Sequence, residues 1–108
     1  MVYIINDVKF PPGKNPDVAA MYLEALKKYP PDPSLGKTLL VLVRTTEEGT
    51  HVMGIGKPAK GKLEENIKRN YESNQMFVGI DGFKFEIKTY LDFTEAYKII
   101  NMKPPEEI

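Results

Sequence analysis

The chain has no cysteine, so disulfides, thiolate catalysis and cysteine-based zinc or iron–sulfur sites are excluded together. It has a single histidine, His51, and so a single side chain whose ordinary pKa lies near neutrality. A metal site would need His51 joined by Glu47 and Glu48, loop residues that make poor ligands without supporting groups. No metal and no cofactor are expected. Excess charge of one sign is also missing: 15 Lys and Arg balance 15 Asp and Glu. With no long-range pull on phosphates, neither nucleic acid nor a membrane surface is an expected partner, and either would need a local patch. No apolar run approaches the roughly 18 residues of a membrane helix. Met1 to Phe10 is apolar but interrupted by Asn6, Asp7 and Lys9, without a basic start or a small-residue cleavage site, so it does not read as a signal peptide. The expectation is a cytoplasmic protein of one domain spanning residues 1–108, with residues 104–108 a frayed tail.

What is present is ordinary globular composition, 42% hydrophobic and 28% charged, with clear punctuation. Val2 to Phe10 is rich in β-branched and aromatic residues and reads as a strand, closed by Pro11, Pro12 and Gly13. Asn15 is placed to cap a helix, with Pro16 first inside it, apolar residues at helical spacing from Val18 to Tyr29, and a stop at Pro30-Pro31. Lys37 to Thr45 contains the unbroken run Leu39-Leu40-Val41-Leu42-Val43, a strand apolar on both faces. Glu47-Glu48-Gly49 reads as a three-residue hairpin loop leading into a strand from Thr50 to Gly56. In that register Gly54 opposes Leu42, Gly56 opposes Leu40 and His51 opposes Thr45, so large residues fill the space over the glycines. Leu63, Ile67 and Tyr71 share one face of a second helix. Met76 to Ile80 reads as an apolar link, Phe83 to Leu91 as an alternating strand, and Asp92 or Thr94 as the cap of a short last helix.

The order β-α-β-β-α-β plus a C-terminal helix is the ferredoxin-like arrangement: a four-stranded antiparallel sheet with two helices on one face. The other face is then bare, and its apolar content calls for a second copy packed sheet to sheet about a two-fold axis. Through VYIINDVKF, TLLVLVRTTEEGTHVMGI and GFKFEIKTYLDFTEA the chain resembles the dimeric α+β-barrel superfamily, in particular its small uncharacterised members. The resemblance implies a homodimer. It also implies a choice of roles, since the superfamily includes cofactor-independent monooxygenase-like and isomerase-like enzymes on small organic substrates as well as members without a known reaction.

Candidate sites are few. GKPAKGK, from Gly56 to Lys62, fits a phosphate-binding loop up to its last position, where Leu63 replaces the hydroxyl that holds magnesium. Nucleotide hydrolysis is therefore not expected, and what remains is an anion-friendly helix start at Lys57, Lys60, Gly61 and Lys62. Asn6, Asp7, Arg44, Tyr3 and Tyr90 are polar or amphipathic groups on apolar strands, and with His51 they are the candidates for lining a small pocket between sheet and helices. Tyr22, Tyr29, Tyr71 and Tyr97 read as core residues with hydroxyls at the rim. The functional expectation is a homodimeric ligand-binding or interaction module. The alternatives are a cofactor-independent enzyme and, third, an anion binder at residues 56–62.

Overall fold

The computed structural model describes residues 2–106. Strand β1 (Val2–Phe10), helix α1 (Asn15–Lys28), strands β2 (Gly36–Thr46) and β3 (Gly49–Pro58), helix α2 (Leu63–Gln75), strand β4 (Lys84–Leu91) and helix α3 (Phe93–Ile99) follow in that order. The four strands form one antiparallel sheet in the order β2-β3-β1-β4. This is the ferredoxin-like α+β fold that the apolar periodicity predicts.

Alternation along β1 sorts the sheet into two faces. Ile4, Val8 and Phe10 are buried beneath the helices and meet Ala25 of α1 and Phe77 of the link after α2 in the core. Phe77 stacks on Phe83 with ring centroids 5.1 Å apart, and Tyr71 of α2 meets Phe85 of β4 edge-on at 5.7 Å. Asn6 lies on the same face and exchanges two amide hydrogen bonds with Asn74 of α2, of 2.7 and 3.3 Å, which satisfies the buried Asn74. These contacts hold α2 over β4 and β1. Helix α1 takes the half nearer β3, where Asn15 Oδ1 accepts a 3.3 Å hydrogen bond from the Thr50 hydroxyl. Asn15 is thus not the cap: the helix begins at Asn15, Lys14 stands at the cap position, and no side chain caps it.

The hairpin differs from the sequence reading by one residue. Thr46 pairs with Gly49, so the turn is the two residues Glu47-Glu48, with Gly49 at φ +129°. His51 consequently opposes Arg44, and Gly54 opposes Val41; an irregularity between Thr38 and Leu40 then sets Gly56 opposite Thr38. A one-residue slip exchanges faces, so Leu40 and Leu42 do not cover the glycines. A β-carbon built on Gly54 would meet only Asn6, at 3.9 Å. Residues 76–80 form a chain of turns, as expected of a link, and Asp92 caps α3 by accepting from the Glu95 amide at 2.8 Å. Pro104–Glu106 carry no helix or strand; the rest of the predicted tail, Glu107 and Ile108, lies outside the described residues, as does Met1.

The molecule is a slab. Its Cα radius of gyration is 15.9 Å, against about 13 Å for a compact chain of this length, and its shortest extent is 16 Å. Strand β2 is exposed along nearly its whole length, with Leu40 at 49% and Val43 at 64% exposure on its two faces. Tyr22 and Tyr71, expected in the core, are exposed as well, because the helical layer is narrower than the sheet it covers.

Candidate functional site

The uncovered face of the sheet collects the odd-numbered residues of β1: Tyr3, Ile5, Asp7 and Lys9. Cross-strand register places Lys88, Glu86 and Lys84 beside them on β4, and Ile55, Met53 and His51 on β3. Leu40, Leu42 and Arg44 complete the face on β2. Each of Tyr3, Asp7, Arg44, His51 and Tyr90 therefore falls on this open face, with Tyr3 directly opposite Tyr90. None of them lines a pocket between sheet and helices, since that space is filled by Ile4, Val8, Phe10, Ala25 and Phe77. Only Asn6 points there, and it is occupied by Asn74.

Asp7 is the centre of the face. Its Oδ1 is hydrogen-bonded to His51 Nε2 and its Oδ2 accepts from Lys88 Nζ at 3.0 Å. Both partners sit diagonally across the ladder, two residues from the direct partners Met53 and Glu86, a separation that long side chains span. The Asp7 side chain is 11% exposed, whereas His51 and Lys88 are about one-third exposed. Burial pushes the Asp7 carboxyl up, but the hydrogen bonds and positive charge of Lys88 and His51 outweigh it and hold it below the usual carboxylate range. Its hydrogen bond to Asp7, joined by the Glu86 carboxylate 3.7 Å away, raises the Lys88 ammonium above its ordinary value. A carboxylate only accepts, so His51 carries a proton on Nε2. Nδ1 has no hydrogen-bond partner among the described residues, and it faces outward as an acceptor when the ring is neutral.

Around this cluster the face divides. Leu40, Leu42, Met53, Ile55 and Ile5 form a contiguous apolar half on β2, β3 and β1. Arg44, His51, Lys9 and Lys84 form one row across all four strands. Neighbouring strands are about 4.8 Å apart, so these basic side chains stand shoulder to shoulder, an arrangement that costs stability unless something negative offsets it. Sequence reasoning named Asp7 and His51 but missed that they touch, and it missed Lys88. The signal for Lys88 was its place on an alternating strand, which becomes informative only once the β1–β4 register is known.

The second predicted region is a short turn. Gly56, Lys57 and Pro58 belong to β3, which leaves Ala59 to Lys62 as the connection to α2. Gly61 adopts φ +74°, the Ala59 amide donates to Leu35 O, and Lys62 stands at the cap position of α2 with no side-chain cap. Lys60, Gly61 and Lys62 are exposed and Lys57 is partly buried. The His51, Glu47 and Glu48 combination does not assemble: no group of three or more His, Asp or Glu side chains converges as a metal site among the described residues. A cleft of about 740 Å³ lies between α1 and the link after α2, lined by Lys14, Asp17, Met21 and Ile80, open to solvent and on the other side of the sheet from Asp7.

No protein-family model matches the chain, and no curated protein does. Solved structures share its architecture. The de novo designed protein Foldit4 is similar over 84% of this chain and 97% of its own, at TM-score 0.54 and 15% identity. Protein Atu4242 from Agrobacterium tumefaciens is similar over 84% of this chain and 92% of its own, at TM-score 0.50 and 16% identity. Aminopeptidase PepT from Bacillus cereus ATCC 10987 matches 96% of this chain with 36% of its own length, at TM-score 0.50 and 13% identity. At such identities the likeness is one of fold: the chain is a small ferredoxin-like α+β protein. No helix among the described residues is long and apolar enough to cross a membrane.

Proposed function

We propose that the protein is a homodimeric binding module whose working surface is the open face of its sheet. The observation that carries this reading is the division of that face into an apolar half and a cationic row, with the Asp7–His51–Lys88 cluster between them. A second copy packed on Leu40, Leu42, Met53 and Ile55 removes the apolar half from water, at roughly 25 cal/mol per Å² of apolar surface covered. The cationic row, left at the border of that contact, then receives a small anionic molecule, for which Arg44, Lys9 and Lys84 supply charge and His51 a hydrogen bond. Thermal melts with a panel of small carboxylates and phosphates test the ligand part. A ligand at a hundred times its dissociation constant adds about 2.7 kcal/mol, and the shift should disappear in Arg44→Ala/Lys9→Ala. No shift with any anion at millimolar concentration contradicts it.

A second reading, a cofactor-independent enzyme on a small organic substrate, is favoured by one observation: a carboxylate holds His51 by Nε2 and leaves Nδ1 outward, the arrangement in which an imidazole acts as general base. Turnover in a substrate screen that is lost on His51→Gln, with unchanged melting, would support it. Turnover that survives the substitution would not.

A further inference from the structure

We infer that strand β2 is a self-pairing edge: two copies join β2 to β2, antiparallel about a two-fold axis perpendicular to the sheet, into one continuous eight-stranded sheet. The outer edge of β2 has no neighbour in the order β2-β3-β1-β4, so a row of backbone N–H and C=O groups along 11 residues faces outward. The opposite edge, β4, is shorter and carries Lys84, Glu86 and Lys88, the charges that normally discourage edge pairing. β2 has no such protection. Its centre is Leu39 to Val43, its charges are confined to Lys37 and Arg44, and it contains no proline.

Two further features select a second copy as the occupant. Val41 and Val43 point to the helical side of the sheet yet are 54% and 64% exposed, because the helical layer stops short of β2. Beside them α1 presents Ala19, Tyr22, Leu23 and Leu26, an i, i+3, i+4, i+7 stripe that is also exposed. The proposed rotation sets the two β2 strands side by side and brings the two α1 helices to about two to three strand spacings of ~4.8 Å apart. Tyr22, Leu23 and Leu26 from both copies then close over Val41 and Val43. A foreign strand would satisfy the β2 backbone but leave this helical stripe in water. The charges agree as well. Antiparallel pairing centred on Val41 or Leu42 places Lys37 against Thr45 or Glu47 of the other copy, whereas parallel pairing would set Lys37 on Lys37 and Arg44 on Arg44.

This contact uses an edge and one side of α1, so it does not depend on the sheet-to-sheet contact proposed above. Sedimentation velocity on three proteins separates them: the native chain, the edge variant Val41→Lys/Val43→Lys, and the face variant Met53→Lys/Ile55→Lys. With both contacts present, the native chain is a tetramer and each variant a dimer. With the edge alone, native chain and face variant are dimers and the edge variant a monomer. An edge variant that keeps the native mass overturns the inference, as does a monomeric native chain. Both substituted valines are already exposed, so circular dichroism should be unchanged. If it is not, amide exchange on the native protein decides: β2 amides protected more at high than at low protein concentration support the pairing, and concentration-independent exchange overturns it.

Discussion

Asp7 holds two cations on a sheet face otherwise open to water, and its chemistry sets the pH behaviour of the fold. Its folded pKa is lowered, so its stabilising contribution is complete above the unfolded value of about 3.9 and is lost as pH falls through the lower folded value. The Lys88 pKa is raised, so its contribution is complete below about 10.4 and is lost as pH climbs past the folded value. Asp7→Asn should cost about 1–2 kcal/mol at pH 7 by urea unfolding. It should also flatten the stability profile below pH 4; an unchanged acid limb would show that the cluster carries no stability. The Asn6–Asn74 pair tests the opposite case. Asn74→Ala leaves a buried amide without its partner and should cost about 1–3 kcal/mol, while Asn6→Val/Asn74→Leu should cost less than the two single changes summed. Additive losses would contradict a closed amide pair.

The elements explain which parts of this structure could be read from the chain. Alternation in β1 and β4, the proline stops around α1 and the Asp92 cap are local signals, and they yield the element order directly. The pairing between elements is not local. Counting Glu47-Glu48-Gly49 as the loop instead of Glu47-Glu48 moves every β3 partner by one, which exchanges the faces of β3 relative to β2. The irregularity near Leu39 moves the register once more. Asp7 and His51 lie on strands separated by a helix and a hairpin, and their contact is a diagonal of a ladder whose register only the fold supplies. Asn15 shows the same limit: a good capping residue is drawn instead to Thr50. At this scale Asp92→Ala should cost about 0.5–2 kcal/mol, seen as faster amide exchange confined to α3. Exchange spreading into the sheet would mean that α3 is integral to the core.

For the whole molecule the governing fact is shape. A sheet wider than its one layer of helices leaves an apolar face, an unprotected edge and a helical stripe in water, and the radius of gyration exceeds that of a compact chain of this length. Soluble monomers rarely keep such continuous apolar surface. Self-association is the common consequence of the proposed sheet-face contact and of the β2 edge, and it is the central claim. Sedimentation velocity of the native chain over a concentration series reaching about 100 μM, well above the affinity of typical stable interfaces, tests it most directly. The prediction is a species of at least two chains that dissociates only on dilution. A single species with the mass of one chain at every concentration would contradict it.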